Sequence, residues 1–167
     1  MEIPIPDPPL AEGVVALRPW RLEDAPVLAK AWADPAIRRW CSVPEDATVD
    51  GAERWISGSD RCRSDGLALD LAVECDGQLA GEVGLGPIQW AHRRAAVGFW
   101  VDADHRRHNL AAKALTLLAA WALVELPLDT LAGEASSENP ASGWTLQAAE
   151  FQLVTERNTR QAWIRTA

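Results

Sequence analysis

His105, Arg106, Arg107 and His108 occupy four consecutive positions, directly before a long apolar stretch, in a chain whose formal net charge is −8. In an acidic chain, such a cluster suits an anion. The first turn of a helix exposes backbone N–H groups that have no intrahelical partner, and with them a partial positive charge of about half a unit. A basic loop that enters a helix is therefore prepared for a phosphate or a similar ligand. Arg93 and Arg94, just before the incoming strand, add positive charge nearby. Without a ligand, the helix dipole would favour acidic side chains here, so basic ones point to an external anion. Asp102 and Asp104 offset them in part. The plain alternative is a solvated basic loop. His105 and His108 form a poor metal set, because His92 is the only other histidine and no cysteine is close in sequence. No metal is expected.

The elements that must hold this loop follow from hydrophobic periodicity. Residues 1–13, with Pro4, Pro6, Pro8 and Pro9, read as an extended arm, and 14–167 as one domain. Residues 14–20 alternate as a strand. Asp24 can cap a helix with Pro26 in its first turn, a stripe of Val27, Leu28, Ala31 and Trp32, and a stop at Pro35. A second helix is expected over 48–57, capped by Thr48. Residues 67–88 are a β-hairpin around Asp76-Gly77, a turn pair that accepts positive φ. A strand follows at 95–101, just ahead of the basic loop. Apolar residues at 110, 111, 114, 115, 118, 121 and 122 have helical spacing. Then come a strand at 129–135, a short helix at 140–149, and strands at 150–156 and 160–166. The pattern predicts an α/β fold: a mixed sheet with helices packed on it.

Composition narrows the function. The net charge argues against a general nucleic-acid binder. No apolar run approaches a membrane span, and the N-terminal stretch lacks the basic and apolar regions of a signal peptide. A cytoplasmic protein is expected. The three cysteines, Cys41, Cys62 and Cys75, are an odd number without metal spacing and read as idle thiols. There are nine tryptophans and no tyrosine. Trp32, Trp40, Trp55 and Trp90 are either core or the wall of an aromatic pocket.

The strand, basic loop and amphipathic helix together resemble the cofactor motif of the GNAT superfamily of acyl-CoA-dependent N-acyltransferases. That motif, Arg/Gln-x-x-Gly-x-Gly/Ala, here reads Arg106-Arg107-His108-Asn109-Leu110-Ala111. The stretches "LRPWRLEDAPVLAKAWADPAI", "GEVGL", "VGFWV" and "NPASGWTLQAAEF" look like the RimJ/RimL branch, and the likeness spans roughly 14–156. Members of that branch acetylate N-terminal amines of ribosomal proteins, and their relatives acetylate small amines and antibiotics. Departures from the pattern are Asn109, Arg107 and Glu150 at glycine positions, and Ala96 where a glutamate is frequent.

The resemblance implies a mostly antiparallel central sheet flanked by helices, acetyl-CoA as co-substrate, and an amine acceptor such as a ribosomal or other protein N-terminus. It also implies that loop amides over Arg106–Ala111 hold the pyrophosphate, that a backbone N–H near Trp100 and Val101 polarises the thioester carbonyl, and that Asn139 ties the pantetheine arm. Ser142 matches the residue placed to protonate the leaving thiolate. Glu82, Asp70 and Glu134 are candidate bases for the ammonium proton, with Glu82 favoured because it interrupts an apolar run. A homodimer is common in this branch. A non-catalytic CoA- or acyl-CoA-binding module and a protein-interaction domain stay open as alternatives.

Overall fold

The computed structural model describes residues 1–167. One eight-stranded sheet, in the order β1-β2-β3-β4-β5-β6-β8-β7, carries helices on both faces. β2 (Val15–Pro19), β3 (Leu69–Cys75), β4 (Gln78–Gln89) and β5 (Arg94–Val101) pair antiparallel. β6 (Thr130–Ser136) joins β5 in parallel, and β8 (Arg160–Thr166) and the edge strand β7 (Gln152–Arg157) close the sheet antiparallel. The β3–β4 turn has Asp76 at φ 51° and Gly77 at φ 75°, the pair of positive values that a two-residue hairpin with matching twist requires.

The period of two along the strands sorts the sheet into two cores. On one face Leu17, Leu71, Val83 and Leu85 meet α4 (Leu110–Glu125), whose Leu115 and Leu118 are fully buried. Each such leucine contributes roughly 1.5–3 kcal/mol. On the other face α1 (Ala25–Ala33), α2 (Pro35–Trp40) and α3 (Val49–Ser64) enclose Leu28, Trp32, Ile56 and the β5 residue Trp100. α5 (Pro140–Ala148) lies against β6 and α4.

Three expectations change. Pro35 does not simply end the first helix: it begins α2, with Asp34 Oδ1 accepting from the Ala36 amide at 2.7 Å. Proline at a first helical position lacks only an N–H that would have no partner there anyway. α3 continues past residue 57 to Ser64, where Arg63 Nη1 donates to Ile3 O at 2.7 Å and Arg63 O accepts from Ile3 N at 3.1 Å. The N-terminal stretch is therefore not a free arm: Ile3 is fully buried and β1 (Ala11–Glu12) pairs with β2.

Candidate active site

β5 and β6 stay paired only from Arg94↔Thr130 to Ala96↔Ala132. Beyond that, β6 keeps β8 as its partner while β5 keeps β4, so Phe99–Val101 and Gly133–Ser136 part company. A cleft of about 660 Å³ fills the parting. Its walls are Trp40 and Cys41 beside α2, Phe99 and Val101 of β5, the first turn of α4, and Ser142 of α5. Asp102 N donates to Ala80 O at 2.9 Å, which sets the alternation of backbone groups along β5. Phe99 and Val101 consequently turn their polar backbone away from β4. Their carbonyls confirm it: Val101 O accepts from Arg106 Nε at 3.1 Å, and Phe99 O from Cys41 Sγ at 3.8 Å. The amides with the orientation expected near Trp100 and Val101 are thus those of Phe99 and Val101.

The start of α4 points into the same opening. The backbone N–H groups of Arg106, Arg107, His108, Asn109, Leu110, Ala111 and Ala112 donate to nothing within the chain, and Asn109 makes no side-chain cap. The first intramolecular donor after them is Lys113 N, to Asn109 O at 3.1 Å. No acidic residue stands in the first turn. Arg107 at φ 69° and Asn109 at φ 57° both take left-handed backbone, which curls the chain so that successive amides converge. Glu150, at φ 66°, does the same before Phe151. All three positions where the family pattern favours glycine keep the glycine conformation without the glycine.

The side chains of the loop divide differently from the sequence expectation. Arg107 and His108 are exposed around the amides. Arg106 is not: its Nη2 binds Asp34 Oδ2 at 2.8 Å while its Nε holds Val101 O. Against a desolvation cost, the Ala36 amide and the Arg106 guanidinium hold Asp34 below the usual carboxylate range. Arg106 is therefore a strut from the loop to the start of α2, and its charge is largely spent. His105 is tied to Asp102, Nδ1 to Oδ1 at 2.7 Å, within the turn. Arg106→Ala and Asp34→Asn should each weaken acetyl-CoA affinity by about threefold to tenfold, and the double variant no more than either alone. Calorimetry checks this; additive losses would return Arg106 to direct contact with phosphate.

At the far end of the cleft, Asn139 Nδ2 donates to Ser142 Oγ at 3.1 Å. With the Ser142 oxygen accepting, its hydroxyl proton is free to be given away. Both residues are half-buried. Glu134 is exposed on β6. The next residue back, Gly133, faces Leu146 of α5, so Glu134 points to the opposite face of the strand and does not line the cleft.

Glu82 lies elsewhere, on β4 directly opposite Trp100 of β5. Burial, and after it the charge of Asp70, push its carboxyl up to about 8. The Trp100 indole beside it eases that shift, yet Glu82 Oε2 and Trp100 Nε1 are both buried without a hydrogen-bond partner of good geometry. The residue keeps partial exposure, so one side of the carboxyl is sealed and the other reachable. Trp100 stacks on Trp20 with centroids 6.5 Å apart, and Trp20 meets Trp55 edge-on at 5.9 Å. Trp32 is core, Trp40 lines the cleft, and Trp90 is pinned far away by Nε1 donating to Gly66 O at 2.8 Å. The roles of Trp20 and Trp100 in this cluster were missed in the sequence, where only their aromatic character could have suggested them.

A mixed sheet parted between two strands, with a helix N-terminus aimed into the parting, is the architecture of the acyl-CoA-dependent N-acyltransferases. Residues 15–152 match the Acetyltransferase (GNAT) domain, and the chain belongs to that family. It is 25% identical over 140 residues to an uncharacterized N-acetyltransferase p20 of Bacillus licheniformis, covering 83% of this chain and 79% of that one. RimL, a ribosomal alpha-N-protein acetyltransferase solved with coenzyme A, superposes with a TM-score of 0.85 at 14% identity, covering 95% of this chain and 97% of that one. Mycobacterium smegmatis RimJ, solved with a CoA disulfide, gives 0.81 at 22% identity, covering 93% and 83%. At such identities the two superpositions speak for the fold alone, which the chain shares with RimL and RimJ.

Proposed function

We propose that this protein is an acetyl-CoA-dependent N-acetyltransferase that acetylates a primary amine by direct attack. The observation that carries the reading is the run of unpartnered amides from Arg106 to Ala112 at the mouth of the β5–β6 parting. Seven consecutive donors, two left-handed residues and a first helical turn without acidic residues fit a diphosphate. Arg107 and His108 add exposed charge and donors beside that seat, Leu110 and Ala111 form its floor, and Asn139 flanks the path of the pantetheine arm.

The remaining groups divide the proton work. The amine of a protein N-terminus or a lysine-like compound arrives protonated, with a pKa of about 8 to 10. Glu82, held near 8, is matched to take that proton in its ionised form, which dominates above that pH. The Val101 and Phe99 amides face the parting and suit the thioester oxygen as its charge grows. As nitrogen bonds to the acetyl carbon, the carbon–sulfur bond breaks, and Ser142, oriented by Asn139, gives its proton to the leaving sulfur. A CoA-binding module without catalysis leaves the raised Glu82 and the Asn139–Ser142 arrangement without a task. The likeness to RimL, an alpha-N-protein acetyltransferase, favours a protein N-terminus as acceptor; a cytoplasmic location and a homodimer remain what the sequence features and the family resemblance imply.

The test is calorimetric titration with CoA, followed by thiol release from acetyl-CoA with peptides bearing free N-termini and with small primary amines. Binding without turnover on any amine would reduce the protein to a CoA-binding module; absence of binding would remove the reading altogether. Ser142→Ala should lower kcat roughly 10²-fold with CoA affinity unchanged, because a hydroxyl that acts on the leaving group contributes only in the transition state. A loss of affinity at constant kcat would assign Ser142 to binding alone.

A further inference from the structure

Asp70 has no part in the mechanism above, yet its charge acts on Glu82. The register pairs Asp70 with Gly84 and Ala72 with Glu82, so the two carboxylates share a face of the sheet one diagonal step apart on adjacent strands. Gly84 makes the room: a Cβ there would fall 2.5 Å from Asp70 Oδ1. Asp70 makes no hydrogen bond with its carboxylate and opens on a second cavity of about 130 Å³ beneath α3, where Trp20 Nε1 is also buried without a partner.

No cation answers the pair. Arg18, from β2, is bound to Asp24 and Glu74 at 2.7 and 2.6 Å. Arg63, from α3, is bound to Asp60 and Glu2, each at 2.9 Å. Arg106, from the loop, is bound to Asp34. The remaining titratable neighbour is the Cys41 thiol beside α2, pushed up to about 11 by burial and then by Glu82. Two half-buried carboxylates with every nearby arginine committed elsewhere lack a counter-charge. The approach to them is open, since Gly98, opposite Gly84 in the register, is exposed and a Cβ there would meet nothing within 4 Å.

We infer that Asp70 is a positioning residue of the acceptor site: paired with Glu82, it forms an uncompensated anionic seat that receives the acceptor amine as an ammonium ion and leaves Glu82 to take its proton. This rests on the acetyl-transfer reading. Aromatic surface borders both carboxyls, with Trp100 beside Glu82 and Trp20 lining the cavity on which Asp70 opens. One ammonium proton passes to Glu82, and the free amine then attacks the thioester. As the amide forms, the second amine proton restores the Ser142 hydroxyl, whose own proton has gone to the sulfur, so that CoA leaves as thiol. The two carboxyls differ in the sense this requires: burial brings Asp70 to about 6, so it supplies the negative charge near neutral pH, while Glu82, protonated there, becomes the acceptor as pH rises through about 8. The acceptor class is an amine that is cationic at neutral pH, which excludes anilines and hydroxyl acceptors.

The pair can be read without any acceptor. In full-length protein carrying carboxyl-labelled glutamate, with the Glu82 signal assigned by its loss in Glu82→Gln, Glu82 should titrate near pH 8. Asp70→Asn should lower that midpoint by about one unit or more. Gly84→Ala, which dislodges the Asp70 carboxylate, should move it in the same direction and replaces Asp70→Asn if that variant does not fold. With turnover measured in parallel, the pH of half-maximal kcat should follow, and the acceptor KM should rise about tenfold at constant acetyl-CoA affinity. A uniform fall in kcat with both midpoints unmoved would make Asp70 a structural residue and overturn the inference. Turnover with an unmoved Glu82 titration would sink the pair alone. A moved titration in a protein that acetylates no amine would sink the acetyl-transfer reading and leave the pair.

Discussion

Glu82→Gln is expected to lower kcat roughly 10³-fold while acetyl-CoA affinity stays unchanged, the magnitude typical of a removed general base. Glu82 lies on the opposite side of β5 from the free amides, under Trp100, so its loss should not disturb the phosphate seat. The same substitution should alter stability with a sign that activity measurements do not show. Glu82 has its carboxyl pushed from the ordinary 4.5 to about 8 by burial and by Asp70. Between those values the folded chain holds a proton that the unfolded chain has released, so stability falls as pH rises through that window. Glutamine has no such proton. Thermal unfolding of the two proteins should therefore agree near pH 4 and diverge by pH 9, with Glu82→Gln the more stable. At 1.36 kcal/mol per unit the ceiling is about 5 kcal/mol. Identical pH–stability curves would mean that the carboxyl ionises as freely as in the unfolded chain.

Ala111→Asp should separate stability from function at the other end of the site. Ala111 stands in the first turn of α4, lines the cleft, and has no acidic neighbour in that turn. A carboxylate there complements the helix dipole and can accept from the unpartnered amides, a gain of roughly 0.3–1 kcal/mol. For a chain of this size that is an increase of about 1–3 °C in Tm. It also puts a negative charge on the turn proposed to seat the diphosphate. CoA affinity should fall by at least about 100-fold, since two like charges a few ångströms apart near a protein surface repel by several kcal/mol. A higher Tm with lost binding would mark the turn as shaped for a ligand at the expense of the fold. Unchanged CoA binding would place the phosphates elsewhere.

Much of this chain is legible in its residues because local signals and tertiary demands agree. The Asp76-Gly77 hairpin, the strand at 95–101 and the apolar stripe from Leu110 all lie where turn chemistry and periodicity put them. The cluster at 105–108 marks the junction of strand and helix. α2 escaped because six residues are too few for a periodic pattern, and because Pro35 signals both an ending and a beginning. The buried Ile3 escaped because a proline-rich stretch has no period at all, and its place is decided by Arg63, sixty residues on.

For the site, the sequence alone determined the basic loop at the start of a helix and the three-residue spacing of Asn139 and Ser142, since both depend on neighbours along the chain; the roles proposed for that pair come from the family resemblance. The tertiary structure decided what lies between neighbours in space. It showed Arg106 committed to Asp34, seventy-two positions away, and the amides left free in its stead. It set Glu82 apart from Glu134, one sealed beneath Trp100 and the other exposed, although both are single glutamates in strands. The physical reason is that a carboxyl's proton affinity depends on desolvation and on the charges around it. Both are properties of packing, fixed here by strand register and by three arginines, each bound to at least one carboxylate outside its own element.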